Sequence, residues 1–337
     1  MAHEARGQVA TISGGMGTSG GEYMQTVENV ELPQNVREFA TRYDRVIGDR
    51  DRFLWKWIHN LFEEFTLSSV AEGASSDVYE RKTLLTIFVT VLDDLAERGG
   101  DRATFGIGRR IPFGIEEVSY ADLGRSDVEV PVLELLTDLW DEIDRGLRQA
   151  PRYGAFVDVF EYDLRQTFDA MEYSGMLNDN PMIANRTEAE RHDAYNMAMF
   201  PYAGIDLMHS PSFDRREYGA LRSLICDLQQ MARIGNWITT WERELGEGDL
   251  SSGVVVCALR RGVITPEEVS EADEAAVCDL IDRIKSHGIE SEFVREWEIR
   301  NKTVRKRTSE VESIDADAFV DGIQAVMNHH LASEGYK

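Results

Sequence analysis

The stretch YGALRSLICDLQQMARIGNWITTWEREL, residues 218–245, repeats apolar residues at steps of three and four, from Leu221 through Leu224, Ile225, Leu228, Met231 and Ile234. That spacing lines one face of a 3.6-residue helix. The same stretch carries Asn236, Thr240 and Glu244 four residues apart. Steps of four return to nearly the same angle, with about 40° of drift each, so an amide, a hydroxyl and a carboxylate form one column. Surface helices usually place charges of opposite sign at that spacing. A neutral–neutral–anionic column instead looks like half of a site for a hard cation.

Outward from this segment the reading stays helical. VREFATRYDRVIGDRDRFLWKWIHNLFEEF and VPVLELLTDLWDEIDRGLRQ show the same periodicity, and the eight prolines mostly fall between such segments. No regular alternation, strand–helix rhythm or internal repeat is present. TLLTIFVTVL, residues 83–92, is rich in β-branched residues but runs on into DDLAER, and reads as a buried helix. The expectation is an all-α fold: a single-domain helical bundle over residues 23–337, preceded by a flexible Gly/Ser/Thr-rich tail at 1–22. Within the tail GMGTSG, residues 15–20, matches G-x-G-x-x-G, but no strand precedes it and no helix pattern follows, so it reads as linker. The acidic run TPEEVSEADEAAVCDL, residues 265–280, reads as a capped, solvated helix.

The chain has 337 residues, 42% of them hydrophobic, enough for a sizeable core. Its 61 acidic and 36 basic residues give a net charge of −25, which disfavours nucleic acid and anionic membranes as partners. The longest apolar run, LLTIFVTVL, is half a membrane span. Cys226, Cys257 and Cys278 form no CxxC pair, so a reducing cytoplasm without a stable membrane anchor is expected.

A second acidic cluster is VLDDLAERGGD, residues 91–101, in which Asp93 and Glu97 stand one turn apart with Asp94 beside them. Carboxylates at i and i+4 repel, and at a helix C-terminus they oppose the macrodipole. A solvated helix end is the plain explanation; a bound cation would reverse the sign of both effects. Magnesium prefers oxygen ligands and is commonly shared between one or two carboxylates and substrate phosphates. Two such helices facing each other could hold a diphosphate through metal and neutralise its charge on departure.

DDLAE resembles the aspartate-rich motif of the class I terpene synthases. Asn236, Thr240 and Glu244 resemble that family's second metal motif, N-x-x-x-(S/T)-x-x-x-E, with Arg243 at the basic position before the glutamate. The 143-residue separation of the two motifs, the continuation ELGEGD and the closing MNHHLASEGYK are also similar to the family pattern. The resemblance covers roughly residues 35–337. It implies a terpene cyclase that ionises a linear isoprenyl diphosphate, of C20 (geranylgeranyl) or C15 (farnesyl) length, with three Mg2+ ions, in a protein that forms a homodimer. Asp93 and Glu97 would take the first metal cluster, with Asp94 turned toward an arginine; Asn236, Thr240 and Glu244 would chelate the remaining ion. Arg243 and Arg233 would hydrogen-bond the diphosphate.

The chain departs from the family at several points. The closing Arg–Tyr pair reads Gly335–Tyr336, leaving Tyr336 alone with Lys337 as a substitute. In DAYNMAMFPYAGIDLM, residues 193–208, Pro201 and Gly204 mark the expected helix break, but Met199 stands where the family has a diphosphate-sensing arginine, and Arg191 is the substitute. Trp237 replaces a frequent aspartate. Phe88, Tyr195, Phe200, Tyr202 and Trp237 are the candidate aromatic pocket walls, each equally readable as core. A prenyl-chain-elongating synthase would carry aspartate-rich motifs on both helices, and the Asn–Thr–Glu column argues against it. A helical metal phosphohydrolase built on His192–Asp193 lacks the further histidines, DAD at 315–317 lacks the last aspartate of a protonation motif, and a non-catalytic acidic interaction protein is the remaining alternative.

Overall fold

A computed structural model describes residues 20–48, 50–97, 101–114 and 127–332. Among these residues there are only helices and connecting turns. The first four helices are α1 (Gly20–Glu28), α2 (Gln34–Val46), α3 (Arg52–Leu61) and α4 (Ser75–Glu97). Helix α1 begins three residues inside the segment read as a tail; GMGTSG lies outside the described residues except for Gly20. After α5 (Arg102–Gly108), the long helices α6 (Val130–Gln149) and α7 (Tyr153–Asp179) complete the first half.

Helix α4 contains the β-branched run, and Leu84, Leu85, Ile87, Phe88, Val91 and Leu92 are all fully buried in it. It packs against α2, α3, α6 and α7. A helix apolar on every side is one surrounded by other helices, and that burial outweighs the weak strand preference of Thr, Ile and Val.

The second half holds α8 (Arg186–Arg191), a 3₁₀ turn at Asp193–Met197, α9 (Met199–Met208) and α10 (Tyr218–Gly246). The helix break does not fall at Pro201 and Gly204. It falls at Ala198, whose φ of +51° makes it the one non-glycine residue with positive φ among the described residues. Pro201 sits in the first turn of α9, where its missing N–H is an orphan in any case. Gly204 lies inside α9, where a Cβ would meet the Phe160 ring at 3.0 Å.

Helix α10 runs 29 residues and ends where Gly248, at φ +81°, lets the chain reverse. The bundle closes with α11 (Gly253–Arg260), α12 (Pro266–Ser270), α13 (Glu274–Ser286), α14 (Ile289–Val304) and α15 (Ala316–Ala332). The acidic run forms α12, with a full capping box between Thr265 and Glu268, and then a separate α13 capped by Asp273. The three cysteines are free, and no described helix is long and apolar enough to cross a membrane.

Helix α15 lies directly on the turn after α3. A Cβ on Gly322 would overlap the Glu64 carbonyl oxygen and stand 2.8 Å from its carbon. Backbone cannot yield as a side chain does, so Gly322→Ala should destabilise the fold by about 1–3 kcal/mol. Gly219→Ala, on exposed α10 backbone with nothing within 4 Å of the new methyl, should be neutral or stabilising by up to about 1 kcal/mol. Chemical denaturation of both variants checks the contrast.

Candidate active site

Asn236 and Thr240 of the α10 oxygen column open on a cavity of about 440 Å³, within the usual range for ligand pockets, whereas Glu244, one turn on, is not among its lining residues. Ala232, Arg233, Asn236, Thr239, Thr240, Glu242 and Arg243 line it from α10, and Thr86, Val89, Thr90 and Asp93 from α4. Leu54, Trp57, Ile58, Leu61, Phe62 and Phe65 form a third wall, with Arg50 beside them; Asn196, Met197, Met199 and Tyr202 form a fourth, and Ile323, Val326 and His330 of α15 complete it. Polarity is graded along this space. Asp93 stands at one end of the α4 stripe and Thr86 seven residues below it, about 10 Å along the helix. At the level of Thr86 the floor is aromatic: Phe62 packs against Tyr202 at 5.1 Å and against Phe65 at 5.3 Å between ring centroids.

The adjacent aspartates part company, because successive helical residues point about 100° apart. Asp93 faces the cavity, where the Asn196 amide donates to its Oδ1 at 3.1 Å. Burial raises its pKa, against the pull of Arg50. Asp94 is buried on the other side of α4. It accepts Arg50 Nη2 at 2.7 Å and Nε at 3.1 Å on one oxygen, and the Tyr43 hydroxyl at 2.6 Å on the other. Both of its oxygens therefore serve the structure. Glu97 ends α4, one turn beyond Asp93, and its side chain lies outside the described residues, as does Tyr336.

On α10, Arg233 is the most constrained group. Its Nε and Nη2 donate to the two oxygens of Asp193 at 2.6 and 2.8 Å, and its Nη1 donates to Asn236 Oδ1 at 2.7 Å. Asp193 is fully buried and also accepts Trp237 Nε1 at 3.0 Å and Ser174 Oγ at 3.3 Å. Thr240 donates its hydroxyl to the Asn236 carbonyl at 2.8 Å, which leaves its oxygen available as an acceptor. One turn on, burial and then the neighbouring Asp249 push Glu244 up to about 7. Arg243 pairs with Glu247 at 2.7 Å and approaches Glu244 at 3.5 Å.

Several expected site residues stand elsewhere. Arg191 is exposed at the end of α8 and does not line the cavity. Phe88 lies five residues before Asp93, about 140° around α4, and packs against Trp140 and Phe168. Trp237, one residue past Asn236, turns into the core against Phe293 at 5.4 Å. Tyr195 and Phe200 stack on each other at 5.8 Å, with the Arg222 guanidinium 4.5 Å over Phe200. Gly204 is likewise away from the cavity. Of the proposed aromatic walls, Tyr202 alone lines it. His192–Asp193 is no open metal pair, since Asp193 is sealed by Arg233. Sequence reasoning does not bring Asp193, Asn196, Arg50, Trp57 and His330 to this site. Arg50 sits in the run GDRDR, which reads as surface, and nothing in the spacing of Asp193 or Asn196 marks their partners 40 and 103 residues away.

No three His, Cys, Asp or Glu side chains converge among the described residues. The oxygen donors of the α4 and α10 motifs that line the cavity are the Asp93 carboxylate, the Asn236 amide and the Thr240 hydroxyl, with the Glu244 carboxylate one turn past Thr240; Glu242 also lines it but is paired with Lys285 at 2.8 Å. All are hard oxygens, and that set suits magnesium better than zinc or copper.

No family model and no curated protein sequence matches the chain. Solved structures do. Over 97% of this chain and 99% of the other, it superposes on T. brucei farnesyl diphosphate synthase with a TM-score of 0.52 at 12% identity. A single-substitution variant of cucumene synthase gives 0.51 at 14% identity, covering 100% and 96%. The 2-methylisoborneol synthase of Streptomyces coelicolor A3(2), solved with Mg2+ and 2-fluoroneryl diphosphate, gives 0.50 at 13% identity, covering 91% and 94%. With only helices and turns among the described residues, and superpositions that cover 91–100% of it, the chain has the class I terpenoid synthase fold.

Proposed function

We propose that this protein is a magnesium-dependent terpene synthase that ionises a linear isoprenyl diphosphate, of C20 or C15 length, and cyclises the resulting cation. One observation carries the reading. Asp93 on α4 and the Asn236–Thr240 column on α10 face the mouth of one cavity whose depth is apolar and aromatic. Arg233 and Arg243 stand on the same stripe as the column and supply donors for a diphosphate. Bound at this mouth, magnesium would supply Lewis-acid neutralisation of the departing diphosphate. Asp93, Asn236, Thr240 and Glu244, with Glu97 from the C-terminal end of α4, are the residues to hold it.

The walls of Val89, Leu54, Ile58, Leu61 and Val326 keep water from the reacting chain, which would otherwise quench a cation. The Tyr202 hydroxyl is occupied: Thr86 gives its own proton to the Lys82 carbonyl, so Tyr202 must donate to Thr86 Oγ1, at 2.8 Å. A chain-elongating synthase shares the fold, as the trypanosomal neighbour illustrates. The amide and hydroxyl at Asn236 and Thr240, where that chemistry would put aspartates, favour cyclisation.

Incubation with geranyl, farnesyl and geranylgeranyl diphosphates, with and without Mg2+, followed by gas chromatography–mass spectrometry of the extract, tests the reading. Cyclic terpene formed only with Mg2+ is expected. Even outer partners of a metal typically account for about 10–100-fold, so Asp93→Ala and Asn236→Ala should each lose about 100-fold or more. Prenyl elongation on adding isopentenyl diphosphate would favour the alternative, and no consumption of any substrate by folded protein would sink both.

Glu244 adds a pH signature. Its carboxyl titrates near 4.5 when unfolded and near 7 in the fold. The fold favours the protonated acid, so this group's support is complete below 4.5 and is lost as pH rises to about 7. Glu244→Gln, measured without divalent cation, should therefore match the wild type near pH 4.5. At about pH 8 it should exceed it by on the order of 2–3 kcal/mol. Mg2+ should stabilise the wild type more at about pH 8 than at about pH 6, because below about 7 it must displace a proton.

A further inference from the structure

The bond between Arg233 and Asn236 bears on the order in which ligands are taken up, given the function proposed above. A guanidinium can only donate, so the Asn236 atom 2.7 Å from Arg233 Nη1 is the amide oxygen. That oxygen is also the one atom of the side chain that could ligate a hard cation. Arg233 is not at liberty to swing away. Two of its nitrogens are fixed on Asp193, and Asp193 is itself buried and held by Trp237 and Ser174. A divalent cation on Asn236 would therefore sit beside a fixed positive charge sharing the same ligand atom, and that guanidinium is itself only 7% exposed, so solvent screens the repulsion poorly.

We infer that Arg233, anchored by Asp193, is a charge lock on the Asn236–Thr240–Glu244 column, so that the column takes up its cation only together with an anion such as diphosphate. An anion at the mouth satisfies the guanidinium and lies between the two positive charges, which turns repulsion into a bridged arrangement. Cation and diphosphate then bind with positive coupling, and by linkage each raises the affinity of the other equally. Arg233 acts here as a positioning residue for the cation, through Asn236. The consequence is unusual for a group on the diphosphate stripe: removing its charge should improve cation binding in the absence of anion.

Binding of Mn2+ alone, and of Mn2+ with inorganic pyrophosphate, can be followed by the electron paramagnetic resonance of free Mn2+. Replacing Arg233 alone would strand Asp193 as a buried unpaired charge, so the test variant is R233Q/D193N, with circular dichroism to verify folding. The wild type should bind Mn2+ weakly alone and at least about tenfold more tightly with pyrophosphate. The double variant should bind Mn2+ alone at least about tenfold more tightly than the wild type, and that gain should vanish when Asn236→Ala is added. D193N, which keeps the guanidinium, should stay weak. Equal or weaker anion-free binding by the folded double variant overturns the lock and leaves the proposed function standing. A wild type that binds no Mn2+ even with pyrophosphate overturns both.

Discussion

The ion pair between Asp193 and Arg233 is the constraint on which the site depends. Burying two charges in a bundle is costly unless every lone pair and proton finds a partner. Here Asp193 takes two bonds from Arg233, one from Trp237 and one from Ser174, and the third arm of Arg233 ends on Asn236. The pair also fixes the 3₁₀ turn Asp193–Met197, which carries Asn196 to Asp93 on the opposite wall. One short turn thus reaches both sides of the mouth, through Asp193 to α10 and through Asn196 to α4. It ends at Ala198 in the left-handed region, which costs an alanine about 1–2 kcal/mol. Strain of this kind persists only where surrounding contacts over-determine the backbone, and the buried pair supplies those contacts.

Much of the fold is legible because periodicity is a local signal. The apolar spacing of α10, the proline punctuation and the Thr265–Glu268 capping box all act within a few residues. Helix α4 is readable as a helix despite its β-branched run because the pattern continues through the aspartates. The break before α9 is misplaced by sequence for an equally local reason. Proline and glycine are the usual breakers, but a proline in the first turn of a helix interrupts nothing, and the true break sits on an alanine whose left-handed backbone no residue type announces.

The site divides along the same line. Asn236, Thr240 and Arg233 can be read because they share one helix stripe, and Asp93 because its acidic cluster opposes a helix dipole. Residues that act across the chain are silent: Asn196 on Asp93, Arg50 on Asp94, Asp193 on Arg233. The aromatic walls show how proximity in sequence misleads. Phe88 and Trp237 are near the cation-facing residues in number, yet the helical angle turns both into the core. Trp57, Phe62 and Phe65 stand on or just past α3, distant in sequence from either motif, and form much of the apolar wall.

A fully buried lysine directly behind this wall would defeat the chemistry proposed if it stood alone. Lys82 Nζ lies 5.5 Å from the Phe62 ring and 5.4 Å from the Phe65 ring, and both rings line the cavity. A bare ammonium there would repel any cation formed above the rings. Asp206 removes the difficulty: its carboxylate meets Lys82 at 2.7 Å, and it is also anchored by the Leu67 amide at 3.1 Å. Burial pulls the lysine pKa down and pushes the aspartate up, each against the attraction of its partner. Whether the proton sits on one or the other, the pair is neutral as a unit. The floor therefore presents aromatic faces without net charge beneath them, and the charge that remains is gathered at the mouth, about 10 Å above, where diphosphate and metal would meet it.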